Sequence, residues 1–117
     1  MNEFDPTGKS QHEPGAKMDA GKPPVMRGLL QYFPRACLAV AALSAKGAEK
    51  YAWSGWEHVE DGINRYGDAH ARHICHEAID GPMDADTEEL HATATAWDSM
   101  ARLELILREI EEAGKAT

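Results

Sequence analysis

Basic residues are scarce in this chain, and their scarcity argues against one large class of functions. The 117 residues include 12 Lys and Arg against 20 Asp and Glu, which gives a formal net charge of -8. Proteins that bind the DNA or RNA backbone do so with clustered Lys and Arg, which displace the counterions of the phosphates. We therefore expect no nucleic-acid polymer as a partner. A charged small ligand would need a local group of positive side chains or a metal ion.

Cysteines are few, and long apolar runs are absent. Cys37 and Cys75 lie in segments of helical pattern and are not spaced as a CxxC pair, so the sequence indicates neither a disulfide framework nor a zinc knuckle. The longest apolar run, around CLAVAAL, is much shorter than the roughly 20 residues that cross a bilayer. The polar N-terminus also lacks the pattern of a signal peptide. We expect no membrane partner and a cytoplasmic location.

The first part of the chain has no apolar periodicity. Residues 1–18 are polar, so we predict a disordered N-terminal tail over 1–18 and a single helical nucleotide-binding or hydrolase-like domain over 19–117. Pro23, Pro24 and Pro34 disfavour helix at and before their positions, although Pro34 suits the first turn of a helix that follows it.

Three later segments have the apolar spacing of helices, and no segment has a convincing strand pattern. The first helix is predicted over 35–51 and the second over about 61–80. Asp86 is a predicted N-cap for the third helix, and Glu89 would complete a capping box with it. The short connection between the second and third helices predicts an antiparallel hairpin. The expected fold is therefore a compact all-α domain of three main helices.

The third helix carries two apolar stripes where a small single-chain domain needs one. A helix that is apolar on two faces predicts that one face packs against another subunit. We therefore expect a homo-oligomer, a dimer or tetramer, whose helices are shared across the interface. One stripe consists of Leu90, Ala94, Trp97, Ala101 and Leu105, and the other of Met100, Leu103, Leu107 and Ile110.

The stretch RHICHEAID, residues 72–80, carries two rows of polar side chains. His73 and Glu77 are four residues apart, and so are His76 and Asp80, so each pair lies on one face of a helix. Both rows contain groups that bind metals or transfer protons. Only one of them faces the neighbouring helix of the hairpin.

That row is His73 with Glu77, because the hairpin sets it opposite the region of His91 and Asp98. We predict that these four residues converge on a divalent metal, with His73 and Glu77 as the working residues. His76 and Asp80 are expected to be supporting or solvent-facing. Mixed imidazole and carboxylate ligands suit Mn, Fe, Co, Ni or Zn better than an all-oxygen site does. The alternative is a solvated or hydrogen-bonded network between the helices.

A second group of residues is basic and aromatic. Arg65 and Arg72 lie on one flank of the second helix, and Lys46 and Lys50 flank an aromatic loop over 51–62. Arg binds phosphate through two hydrogen bonds and aromatic rings stack on bases, so the combination indicates a nucleotide pocket. In the alternative, Asp68 pairs with Arg72 and the Trp residues belong to the core.

A third pattern consists of paired carboxylates. Glu57 with Glu60, and Glu77 with Asp80, match the ExxE and ExxD pairs by which MazG-like nucleotide pyrophosphatases hold magnesium. An acidic chain produces such matches easily, so this pattern is the weakest of the three.

The order of several motifs resembles a known family. DAGKP, KGAEKYAWSGW, NRYGDAHARH and HATATAWD follow one another as in the small phage and prophage domain named dATP/dGTP diphosphohydrolase N-terminal. Ala94 stands where many relatives have a second His, and Asp98 where many have Asn. The resemblance covers about residues 17–105, and the matching positions are Gly21, Lys22, Pro23, Gly47, Ala48, Lys50, Tyr51, Trp56, Arg65, Asp68, Arg72, His73, His91 and Asp98.

The resemblance implies an all-helical fold, a purine deoxynucleotide ligand and a divalent metal, Mg or Mn or another transition metal. The implied reaction is attack of a metal-bound water on the α-phosphorus, which leaves a monophosphate and releases pyrophosphate. Glu77 would then be a metal ligand or general base, and Arg65, Arg72 and Lys50 would bind the phosphates.

A non-catalytic function could use the same residues. An oligomer of this size could sequester a nucleotide or cyclic nucleotide signal with its Trp, Lys and Arg side chains, and the acidic residues would then be structural. A helical interaction module without a small ligand is the third alternative.

Overall fold

The structure is a computed structural model that describes residues 3–115. Helices account for most of this range, and no strand is present within it beyond an isolated antiparallel bridge between Met83 and Leu90. The predicted all-α fold is confirmed. No helix within 3–115 combines the length and the apolar character needed to cross a bilayer. The helices are a π-helix Met26–Leu30, α1 Pro34–Lys50, a 3-10 helix Gly55–His58, α2 Gly62–Asp80 and α3 His91–Lys115.

The chain divides into two compact units, Met1–Pro34 and Arg35–Thr117. In the first unit, the buried carboxylate of Asp5 accepts hydrogen bonds from the backbone N–H of Thr7 at 2.6 Å and of Lys17 at 2.7 Å. These bonds close a loop within the stretch predicted to be a tail. The predicted boundary between a disordered 1–18 and a domain over 19–117 stays a prediction.

Helix α1 begins at Pro34, as its fixed φ and missing N–H favour at the first helical position. Two contacts hold α1 to the rest of its unit. The indole N–H of Trp97 in α3 donates to the Ser44 hydroxyl at 2.9 Å. The Lys46 ammonium forms an ion pair with Glu89, in the connection between α2 and α3.

Helices α2 and α3 form the predicted antiparallel hairpin, and two glycines bring them close together. A Cβ atom at Gly62 would lie 2.9 Å from Leu105 Cδ1, and one at Gly67 would lie 3.2 Å from Arg102 Nε. A larger residue at either position would displace the side chain of Leu105 or of Arg102. The hairpin brings His73 opposite His91.

The predicted start of α3 is wrong. With Asp86 as N-cap, the helix would begin at Thr87, but α3 begins four residues later, at His91. The carboxylate of Asp84 accepts the Asp86 N–H at 2.9 Å, which forms a local turn instead of a helix start. Glu88 then has φ of 60°, in the left-handed region, so a helix cannot run through it. Residues 81–90 form a hydrogen-bonded loop as a result.

The single chain encloses little apolar core. Among residues 3–115, Ala101 is the only buried apolar side chain. The stripe of α3 formed by Met100, Leu103, Leu107 and Ile110 is 51% to 64% exposed. One of the two predicted apolar faces is therefore uncovered in the isolated chain.

Candidate functional site

A cavity of about 1010 Å³ lies among α1, α2, α3 and the segment between α1 and α2. Its wall combines aromatic rings with charged side chains of both signs, and such pockets bind ligands that have an apolar part and a charged part. The aromatic residues of the lining are Tyr51, Trp53, Trp56, Tyr66 and Trp97, and the charged or titrating ones are Arg65, Asp68, Arg72, His73, Glu89 and Asp98.

Three of the aromatic rings interlock. The ring of Trp97 packs edge-on against Trp56, with centroids 6.1 Å apart, and against Tyr66 at 5.5 Å. The Tyr66 hydroxyl donates to the Trp56 carbonyl oxygen at 2.9 Å. Because the indole of Trp97 also has its partner on α1, this part of the wall is fixed by packing and hydrogen bonds together. Tyr66 was not singled out from the sequence.

Two further rings are open to a ligand. Tyr51 and Trp53 are 75% and 71% exposed although they line the cavity. Lys50, predicted to bind phosphate, does not line the cavity. Its ammonium lies 5.1 Å from the centroid of the Tyr51 ring, beside the cavity wall.

The cavity contains two arginines from one face of α2. Arg65 and Arg72 are seven residues apart, two helical turns, and both are exposed. Arg65 donates a hydrogen bond to the Glu60 carbonyl oxygen at 3.2 Å. Arg72 makes no hydrogen bond or ion pair with any residue in the described range 3–115, and the predicted Asp68–Arg72 pair is therefore not formed. Two guanidinium groups remain available to an anionic ligand.

A group of three possible metal ligands borders this site. The ligand atoms of His73, Asp84 and His91 all lie within 4.8 Å of one another. His73 Nδ1 and His91 Nδ1 share a hydrogen bond of 2.9 Å, and His73 Nδ1 lies 3.9 Å from Asp84 Oδ2. His91 is 3% exposed, and His73 also lines the cavity. This His/Asp/His group therefore touches the cavity through His73.

The pKa shifts of His73 and Asp84 favour the forms that bind metals. Burial, with a further contribution from His91, lowers the pKa of His73, which keeps its imidazole neutral at neutral pH. The hydrogen bond from the Asp86 N–H lowers the pKa of Asp84 and so keeps it a carboxylate. Neutral imidazole and ionised carboxylate are the forms that bind metals.

The predicted metal set is only partly brought together. His73 and His91 meet, as the hairpin argument predicted, but neither Glu77 nor Asp98 contributes a ligand atom to the His/Asp/His group. The third member is Asp84, which was not among the residues predicted from the sequence. The sequence feature that could have identified Asp84 is its position in the loop that joins the two histidine-bearing helices, close to His91.

Glu77 lies on an exposed part of α2 and is not part of the cavity lining. His76 is exposed and lies 3.8 Å from Asp80, its partner in the outer row. Of the ExxE and ExxD carboxylates, Glu57 forms an ion pair with Arg108 at 3.2 Å. None of the four belongs to a group of three possible metal ligands within residues 3–115.

Asp98 occupies a different position, in the wall of the cavity. It is 8% exposed, and burial raises its pKa to about 6, against the opposing effects of His70 and Arg72. No residue in the described part of the chain donates a hydrogen bond to its carboxylate. A buried acid without a donor is costly, so its presence in a cavity is a mark of a ligand site.

Comparison with protein families gives a match to most of the chain. The family model for dATP/dGTP diphosphohydrolase, N-terminal, matches residues 12–115. That range contains all three α-helices, the cavity lining and the His/Asp/His group. No curated protein and no solved structure matches the chain significantly.

Proposed function

Because this chain belongs to the dATP/dGTP diphosphohydrolase N-terminal family, we propose that it hydrolyses purine deoxynucleoside triphosphates to the monophosphate and pyrophosphate. The observation that carries the proposal is the cavity itself. It sets exposed aromatic rings and two arginines beside a His/Asp/His group. These parts correspond to the base, the phosphates and the reacting centre of a nucleotide.

The proposed binding mode follows from the chemistry of the wall. Tyr51 and Trp53 are the exposed rings, and together with Trp56 they offer surfaces on which a purine base stacks. Arg65 and Arg72 bind the phosphates through paired N–H donors. Lys50 adds a positive charge beside Tyr51, where it attracts the triphosphate without lining the cavity.

We further propose that the reaction is metal-dependent, and the donor set of the chain fits a metal. His73, His91 and Asp84 would hold it with two imidazole nitrogens and one carboxylate oxygen. Such a set favours Mn²⁺ or another transition metal over Mg²⁺, which prefers oxygen ligands. A bound ion would neutralise charge at the phosphates and would lower the pKa of a water molecule that it binds.

The protein's own side chains have separate roles in this scheme. The arginines stabilise the negative charge that develops on the phosphoryl oxygens, since their donors are already placed in the cavity. The interlocked Trp56, Tyr66 and Trp97 exclude water from one side of the bound nucleotide. The role of Glu77 as a general base or metal ligand stays a prediction, because its side chain is exposed and outside the lining.

The exposed stripe of α3 supports the proposal of a homo-oligomer, a dimer or a tetramer. The proposed substrates are metabolites of the cytoplasm, so we propose that the protein acts there, in the host cell where a phage encodes it. A role in phage nucleotide metabolism agrees with the resemblance described above.

One incubation tests the reaction. The full chain is mixed with each of the four deoxynucleoside triphosphates, with Mg²⁺ or Mn²⁺, and the products are separated by ion-exchange chromatography. We expect dATP or dGTP to yield the monophosphate and pyrophosphate in equal amounts, with the pyrimidine nucleotides as internal controls. Recovery of every nucleotide intact, together with measurable binding, would favour the non-catalytic binder.

A further inference from the structure

The carboxylate of Asp98 is a strong hydrogen-bond acceptor without a donor. The residue is 8% exposed, and no N–H or O–H within residues 3–115 binds it. No fully enclosed side-chain oxygen of the described residues lacks a partner, so the oxygens of Asp98 keep some accessible surface, and the residue lines the cavity. A ligand with N–H or O–H groups would satisfy them, and buried acceptors gain most from such bonds.

The part of a bound nucleotide that fits beside Asp98 is not the triphosphate. A triphosphate is negatively charged, as the carboxylate is, and offers no hydrogen-bond donors at neutral pH. The arginines of the same cavity are the groups that bind phosphates. The remaining donors of a purine nucleotide are those of the base and of the sugar. Aromatic rings line this cavity, and Trp97, the residue next to Asp98, belongs to the fixed part of its wall. The aromatic surroundings of Asp98 therefore favour the base over the sugar as the part of the ligand that lies beside it.

The two purines differ in what they present to a carboxylate. The Watson–Crick edge of guanine carries two adjacent donors, N1–H and N2–H, which fit the two oxygens of one carboxylate. Adenine presents a single donor, N6–H, beside the acceptor N1, and that acceptor would face a carboxylate oxygen. A site built to receive particular donors rejects ligands that lack them.

We propose that Asp98 reads the base of the bound nucleotide by accepting hydrogen bonds from N1–H and N2–H of guanine, and so makes the guanine nucleotide the preferred purine ligand. This inference rests on the proposed function, because it requires the cavity to hold a purine nucleotide. It assigns Asp98 a role in specificity, apart from the His/Asp/His group.

Binding of uncleavable nucleotides tests the role directly. The affinity of the full chain, with a fixed concentration of Mg²⁺, is measured by calorimetry for the α,β-methylene analogues of dGTP, dITP and dATP. The dITP analogue differs from the dGTP analogue by the missing N2 amino group alone. We expect it to bind more weakly by on the order of tenfold, the effect of one lost hydrogen bond to a charged acceptor. The dATP analogue should bind more weakly than that of dGTP.

An isosteric variant tests the residue. Asp98→Asn replaces one acceptor with a donor, so it should weaken the dGTP analogue by on the order of tenfold or more and leave the dATP analogue unchanged or tighter. Asp80→Asn is the matched control, since Asp80 is an exposed carboxylate at the end of α2, outside the cavity. Circular dichroism shows whether each variant keeps its helices.

The binding results distinguish failure of the inference about Asp98 from failure of the proposed function. Equal affinity for the dGTP and dITP analogues, or an unchanged base preference in folded Asp98→Asn, overturns the inference and leaves the proposed function standing. A guanine analogue without its 3′-hydroxyl should still distinguish the native protein from Asp98→Asn. If removal of that hydroxyl abolishes the difference, Asp98 binds the sugar and the inference is wrong. Absence of binding by every purine nucleotide overturns the proposed function and the inference together.

Discussion

His73 and His91 face each other across the α2–α3 hairpin, with their Nδ1 atoms 2.9 Å apart. Two imidazole nitrogens this close share one proton between them or bind one ion. The carboxylate of Asp84 lies close enough to the pair to complete a set of three ligands. Several measurable properties of the protein depend on this contact and on the cavity beside it.

The two histidines of the 72–80 stretch should differ in their effect on metal affinity. His73→Ala removes one of three ligands, so Mn²⁺ affinity measured by calorimetry should fall by about tenfold to a hundredfold or more. Nucleotide turnover should fall with it. His76→Ala is the matched control and should change neither property, because His76 is exposed and outside the group. A larger loss in His76→Ala would contradict the assignment.

Asp84 should bind the metal, although the sequence did not single it out. Asp84→Asn keeps an oxygen that accepts the Asp86 N–H, so the loop should remain folded while the charged ligand is lost. We expect Mn²⁺ affinity to fall by on the order of tenfold. Asp86→Asn, an exposed neighbour in the same loop, provides the comparison. Equal affinities of the two variants would place the third ligand elsewhere.

The exposed stripe of α3 should determine the assembly state. Leu107→Glu places a charge in that stripe, so light scattering at micromolar concentration should show a smaller particle than the native protein forms. Glu109→Lys, on the same helix at an exposed polar position, should leave the mass unchanged. A native protein that is already monomeric at that concentration would refute the oligomer.

Stability should depend on pH through Asp98. Burial raises the pKa of this carboxyl from 3.8 to about 6 in the folded state, so the folded protein binds its proton more tightly than the unfolded chain does. The contribution of this proton binding to the free energy of unfolding is fully present below pH 3.8 and is lost as the pH rises through about 6. Asp98→Asn removes the buried charge. It should raise the free energy of unfolding at pH 8 by roughly 1–3 kcal/mol in urea titrations.

That gain should shrink as the pH falls toward 4, because the native carboxyl is then protonated and uncharged. Asp80→Asn should show no such trend, since Asp80 is exposed. A gain that is the same at both pH values would show that the substitution acts through packing and not through charge.

The helices could be predicted because their causes are local. The position of Pro34 and the apolar spacing of α1 and α2 lie within the sequence of each helix, and the short connection between α2 and α3 imposes the hairpin. From that hairpin the meeting of His73 and His91 followed. The start of α3 was missed because a single left-handed residue, Glu88, interrupts a pattern that otherwise favours helix.

The remaining parts of the site could not be predicted, because they depend on side-chain directions and residue spacing does not specify those directions. Asp84 reaches the histidines only because the loop after α2 turns its carboxylate toward them, and Lys50 lies over Tyr51 instead of entering the cavity. Glu77 shares a helix face with His73 by spacing, but it lies one turn nearer the end of α2 and is exposed. Arg65, Arg72, Tyr51 and Trp56 were predicted as one pocket, and all four line the cavity.

The loop between α2 and α3 joins the two halves of the site. It carries Asp84 of the His/Asp/His group and Glu89 of the cavity wall, and the Asp84 N–H donates to the Glu89 carbonyl oxygen at 2.8 Å. A ligand that orders one of these residues reduces the conformational entropy that the other loses on binding its own ligand. Occupation of the cavity and occupation of the His/Asp/His group should therefore be positively cooperative, and thermodynamic reciprocity requires each to strengthen the other by the same factor.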